Sequence, residues 1–118
     1  MIYESIPEKH KINISEQQLS ELIYYLWIHR GTYIKSNEIA RATGFNNKGS
    51  CVELRNAITI LIEEKELPII ADNNGYCYAT DTEMIRKYVQ TLIGRVQGIN
   101  KRINALTIMV NKAENHIL

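Results

Sequence analysis

Little in this sequence belongs to an enzyme or to a secreted scaffold. It has two cysteines, Cys51 and Cys77, and no CxxC pair, too few for a disulfide framework. Both are expected as reduced, partly buried thiols. Cys51 falls where a helix begins, a position that favours thiolate, so a redox role stays open there. The three histidines, His10, His29 and His116, are scattered, and none stands at a metal-ligand spacing. A phosphate-cradling glycine loop and a nucleophile elbow are both missing. No catalytic residue, metal site or cofactor is therefore expected, and the chain reads as a non-enzyme. No apolar run approaches the ~20 residues of a membrane span. The start, Met1-Ile2-Tyr3-Glu4, lacks the basic and apolar regions of a secretory signal, which makes the cytoplasm the expected location. Proline is scarce as well, and none follows Pro68, so nothing forbids one long terminal helix.

What is present suits one small domain plus a long helix. The chain has 118 residues, 45% of them hydrophobic, enough for an ordinary core. Net charge is only +1, yet it is unevenly placed. Residues 30–55 carry five basic side chains (Arg30, Lys35, Arg41, Lys48, Arg55) against Glu38 and Glu53, giving +3. Residues 56–72 carry Lys65 against Glu63, Glu64, Glu66 and Asp72, giving −3, and the tail from 81 has six basic against three acidic, again +3. Localised positive charge is what a surface with one phosphate-facing side requires.

Residues 1–14 show no pattern and read as an N-terminal arm or loose strand. Ser15 and Gln18 then form a capping box, and Leu19, Leu22, Ile23, Leu26 and Trp27 recur at helical spacing. Gly31 follows at the C′ position, after His29 and Arg30, and Thr32-Tyr33-Ile34 suits a short strand. Ser36 is the expected cap of a second helix reaching about Thr43, closed by Gly44. Asn46-Asn47-Lys48-Gly49 is turn-forming. Ser50 and Glu53 suggest another capping box, opening a third helix that runs to about Lys65 with Leu54, Ile58, Leu61 and Ile62 as its apolar stripe. Two strands follow, at 68–71 and 76–79. Between them lies Asp72-Asn73-Asn74-Gly75, and Asn-Gly is tight-hairpin chemistry.

A last helix starts after a cap at Thr80, Asp81 or Thr82 and runs to about residue 113, roughly 45–50 Å. Its apolar positions, Ile85, Val89, Leu92, Val96, Ile99, Ile103, Leu106 and Val110, are spaced 4, 3, 4, 3, 4, 3, 4, a heptad seam. Val89, Val96, Ile103 and Val110 fit position a and the other four position d. β-Branched residues at a favour a parallel two-stranded coil, a preference that two Ile at d weaken. The flanking sites include Arg86, Arg95, Asn100 and Arg102, with no acidic partner among them. Gly94 and Gly98 fall on the outer side at ~1 kcal/mol each against Ala. A bent helix and an antiparallel pairing both remain open. The seam is longer than a domain of this size can cover, so self-association is expected.

The order helix, short strand, helix, turn, helix, hairpin implies a fold that is mainly α with a small β-hairpin (α+β): a winged helix-turn-helix followed by a long C-terminal coiled-coil helix. The expected layout is an arm at 1–14, the winged domain at 15–80 and a dimerisation helix at 81–118. In such a layout the third helix enters the major groove by its leading end. Its outward face is expected to hold Glu53, Asn56 and Thr59, with Arg55 to one side. Asn46, Asn47, Lys48 and Ser50 are candidates for phosphate or base edges. Lys35 and Arg41 suit phosphate contacts, and Asn73 and Asn74 lie at the hairpin tip. Asn can read adenine and Arg guanine bidentately. Each candidate also has an ordinary explanation: Ser50 as a cap, Arg55 paired with Glu63, Glu64 or Glu66, the asparagines as turn residues. The hairpin tip has no Lys or Arg, so it adds little phosphate attraction.

The stretch from Arg55 to Glu64, then Leu67-Pro68-Ile69-Ile70 and Gly75-Tyr76-Cys77-Tyr78-Ala79, resembles winged-helix proteins encoded by phages and prophages of low-GC Gram-positive bacteria. The resemblance continues through Tyr88, Leu92, Arg95, Ile99, Arg102-Ile103 and Ala105-Leu106, covering about residues 36–108. It implies a DNA-binding protein of a replication or regulation module in a bacterial host cell, and that Arg55 and Gly75-Tyr76 matter. The expected function is sequence-specific binding of double-stranded DNA as a homodimer. The alternative is a protein–protein adaptor that uses the apolar seam or the acidic 63–66 patch to grip a replication, transcription or host-defence factor.

Overall fold

The computed structural model describes residues 14–115. Most of the expected arm, His10 and His116 lie outside them. The chain is mainly helical, in the order α1 (Glu16–Ile28), α2 (Ser36–Thr43), α3 (Val52–Glu63), β1 (Ile69–Asp72), β2 (Gly75–Tyr78) and α4 (Thr82–Glu114). It divides into two compact units, Met1–Ile85 and Arg86–Leu118.

In the first unit, α1 starts as its sequence dictates. The Gln18 N–H donates to Ser15 Oγ at 3.1 Å and the Ser15 N–H to Gln18 Oε1 at 3.0 Å, so two otherwise orphaned donors are satisfied. Leu19, Leu22 and Leu26 are buried on one face. Trp27 stays half exposed, its ring edge-on to Tyr78 with centroids 5.3 Å apart, and Arg30 stacks over it at 4.1 Å. The helix ends earlier than expected, with His29 as C-cap. Gly31 is two residues beyond that cap, at φ +85°, and its N–H donates to the Tyr78 carbonyl at 2.9 Å. The glycine therefore joins the hairpin rather than closing α1.

The short α2 has Lys35, not Ser36, as N-cap, and no side chain bonds there. Ser36 is already helical. Its C-terminus is closed as expected: Gly44 takes the left-handed conformation at φ +82°, and the Phe45 N–H returns to the Ala40 carbonyl at 2.9 Å. Phe45 is thereby turned into the core, where it joins Leu22, Ile39, Leu54, Ile58 and Leu61.

Helix α3 departs from expectation at both ends. Its N-cap is Cys51, at φ +55°, with no side-chain cap bond, so the Ser50–Glu53 capping box does not form. The helix ends at Glu63 rather than near Lys65, and Glu66 takes φ +57° so that the Leu67 N–H can reach the Leu61 carbonyl at 2.9 Å. Its buried face is Leu54, Ala57, Ile58, Ile60 and Leu61, while Ile62, expected in the stripe, is exposed.

Strands β1 and β2 pair antiparallel in the register Ile69↔Tyr78 to Asp72↔Gly75, so Asn73-Asn74 is the two-residue loop. Among the described hairpin residues only Gly75 takes a positive φ, +125°. Asp72 Oδ1 accepts the Asn74 N–H, an Asx turn that tightens the tip. The expected strand at 32–34 shrinks to one bridge, Ile34↔Tyr76, closed in both directions at 2.8 and 2.9 Å.

In α4 the Asp81 carboxylate accepts the Met84 N–H at 2.9 Å, which makes Asp81 the capping residue. The helix runs unbroken through Gly94 and Gly98 to Glu114. It has no buried residue. Val89, Leu92, Val96, Ile99, Ile103, Leu106 and Val110 are all exposed, and Ile85 is half-buried. No helix among the described residues is long and apolar enough to cross a membrane.

Candidate nucleic-acid interface

The leading end of α3 and the loop before it bring part of the expected residue set together. The loop folds on itself through backbone and short side chains. Asn46 Oδ1 accepts the Lys48 N–H at 2.9 Å, and the Asn46 N–H donates to Glu53 Oε1 at 3.3 Å. Glu53 is thus spent on fastening the loop and is half-buried. Gly49, at φ +59°, and Cys51 turn the chain into the helix. A non-glycine residue costs ~1–2 kcal/mol in that conformation; burial of the Cys51 side chain holds it there. The redox role left open for Cys51 has no exposed sulfur to act through.

The Arg55 guanidinium donates from NH2 to Ser50 Oγ at 3.3 Å. Ser50 therefore orients an arginine instead of capping a helix, and the partner shown for Arg55 is Ser50 rather than the glutamates the sequence suggested. Lys48, Ser50, Val52 and Arg55 are all exposed, Val52 at 48%. The outward stripe of α3 is Val52, Arg55, Thr59 and Ile62, with Thr59 half-buried. This corrects the expected face: Glu53 and Asn56 flank it, half-buried, because the helix is rotated to sink Ala57 and Ile60. The 3, 4, 3 spacing of Val52, Arg55, Thr59 and Ile62 was visible in the sequence, but two of the four, Val52 and Ile62, are not residues that advertise a polar surface.

Of the remaining candidates, Asn47 belongs to the same loop, and the others lie on or beside α2 and at the hairpin tip. Lys35 and Arg41 are exposed at opposite ends of α2, roughly 9 Å apart along its axis. Asn47 is half-buried. Asn73 and Asn74 are exposed at the hairpin tip beside the Asp72 carboxylate. Tyr33 sits near that carboxylate, and its phenol is held above its usual pKa, first by partial burial, then by Asp72 and by Cys77. The tip therefore presents hydrogen-bond donors and one negative charge, with no cation. Elsewhere on this unit, a groove along α1 and α2 is lined by Ser20, Glu21, Tyr24, Tyr25, Ile28 and Thr43. Tyr24 and Ile28 are exposed there, Tyr24 at 66%. Among the described residues no three His, Cys, Asp or Glu are grouped to hold a metal ion.

No protein-family model matches the chain, and no curated protein or solved structure is similar enough to count as a relative.

Proposed function

We propose that the first unit is a winged helix-turn-helix that binds double-stranded DNA in a sequence-specific manner, and that the protein acts as a homodimer joined through α4. The resemblance noted in the sequence supports a role in transcription regulation or replication of a phage or prophage. One observation carries the reading. The N-terminal turn of α3 and the loop before it expose Lys48, Ser50, Val52 and Arg55 together, and a recognition helix reads base edges with that end. Ser50 holds Arg55 in a defined pose, which suits bidentate contact with guanine. Val52 is an apolar contact of the kind thymine methyls take. Lys48, Lys35 and Arg41 supply phosphate contacts, and the hairpin lies beside the duplex as a wing of low charge.

Fluorescence anisotropy with duplexes selected from random DNA tests this. Lys48→Glu with Arg41→Glu should weaken binding at fixed salt and flatten the log–log salt dependence by about 2. Replacing thymine by uracil across the selected site reads Val52. Unchanged affinity and slope in the double variant would remove this surface.

A protein adaptor is the second reading, favoured by the exposed Tyr24 and Ile28 along the α1–α2 groove. An adaptor would show little duplex binding at moderate salt.

A further inference from the structure

We infer, resting on the homodimer reading above, that the α4 seam is covered by a second copy of this chain lying parallel and in register, an orientation selected by Arg95 and Arg102. Because α4 is continuous from Thr82 to Glu114, the heptad frame holds along its whole length. With Val89 at position a, both arginines fall at g, and Ile93, Asn100 and Thr107 fall at e. Arg95 and Arg102 are exposed, and neither has a carboxylate three or four residues away on its own helix. Their charge is left for a partner helix to accommodate.

In a parallel pair a g residue faces the e residue five positions on in the other helix. Arg95 then meets Asn100 of the partner subunit, and Arg102 meets Thr107 of the partner subunit. Both contacts are polar and neither is repulsive. Tyr88 meets Ile93 of the partner subunit, which widens the apolar seam at its start. The a layers become Val89, Val96, Ile103 and Val110, the β-branched set that suits two strands.

An antiparallel pair faces g with g. The register that covers every seam layer sets Val89 against Leu106 of the partner subunit and Val96 against Ile99 of the partner subunit. Arg95 then lies beside Arg102 of the partner subunit, twice per dimer. Sliding by one heptad in either direction puts Arg95 or Arg102 against its own copy and uncovers two seam residues at an end. Like charges at facing flank positions penalise each of these registers. Nothing in the parallel arrangement carries that penalty.

The test uses the full chain. Wild-type protein should sediment as two chains at micromolar concentration. Leu106→Cys should form an intermolecular disulfide with itself in a thiol–disulfide buffer, whereas wild-type protein, whose own cysteines are buried, should not. Mixed Val89→Cys and Leu106→Cys chains should give no heterodisulfide above the homodisulfides. In a second measurement, Arg95→Glu should leave dimer dissociation within about threefold of wild type, since it faces Asn100 of the partner subunit. An antiparallel pair would instead gain two opposite-charge contacts and tighten by about fivefold or more. A dominant Val89–Leu106 heterodisulfide, or that tightening, overturns the orientation while leaving the homodimer intact. A monomeric or three-chain wild-type mass overturns the homodimer reading and this inference together.

Discussion

Gly75 shows how much one position can carry. Its φ is +125°, and a Cβ built there would overlap the backbone carbonyl of Ile34. The bridge between Ile34 and Tyr76 brings the two backbones that close. Gly44 also has a positive φ, but a Cβ there meets nothing within 4 Å. Gly75→Ala should therefore cost roughly 2–4 kcal/mol and Gly44→Ala ~1 kcal/mol, as urea unfolding midpoints will show. Equal costs would mean that the close approach is not what fixes Gly75. Cys77 gives a second test at this scale. Burial pushes its thiol above the ordinary value, reinforced by Asp72 and partly offset by the Gly31 N–H. The folded thiol thus keeps its proton at pH values where the unfolded chain has released it. Stability should be unaffected by this group below the ordinary thiol pKa of 9.0 and should fall as pH rises past it. Cys77→Ala should flatten the fall in unfolding midpoint above about pH 9; an identical slope in the variant would assign the fall elsewhere.

Two serines with the same sequence signature do different work in their elements. Ser15 caps α1, with reciprocal bonds to Gln18. Ser50 carries the same Ser-x-x-acid/amide pattern but bonds Arg55, because Cys51 takes a left-handed backbone and becomes the cap position itself. Ser15→Ala should cost ~1 kcal/mol of stability. Ser50→Ala should cost only a few tenths by thermal unfolding, while weakening the proposed DNA binding by freeing Arg55. If the two variants lose equal stability, Ser50 is a cap after all. The elements were legible because their signals are local: apolar periodicity and a capping box for α1, a closing glycine for α2. The candidate site was legible only in part. Lys48 and Arg55 are conspicuous cations, whereas Val52 became visible as a site residue once the rotation of α3 was known.

On the molecular scale, α4 decides the behaviour. Its seam residues are roughly half exposed on a lone helix, Leu92 at 39% and Val96 at 56%. On the homodimer reading, a seam of apolar side chains offers no partner to two buried carboxylates per chain. Leu92→Asp with Ile103→Asp should give a monomer by sedimentation, and the proposed DNA affinity should fall by about a hundredfold as the second binding unit is lost. A double variant that still sediments as a dimer would locate self-association away from the seam.

Among the described residues, the sequence by itself determined the helices, the tight hairpin and the heptad seam, since each follows from spacing and turn chemistry within a few residues. Tertiary packing decided which face of α3 meets solvent, that Ser50 serves an arginine rather than a helix, and that Gly75 must lack a side chain. Those outcomes depend on backbone segments far apart in the chain coming into contact, as Ile34 does with Tyr76, and no local pattern encodes such contacts.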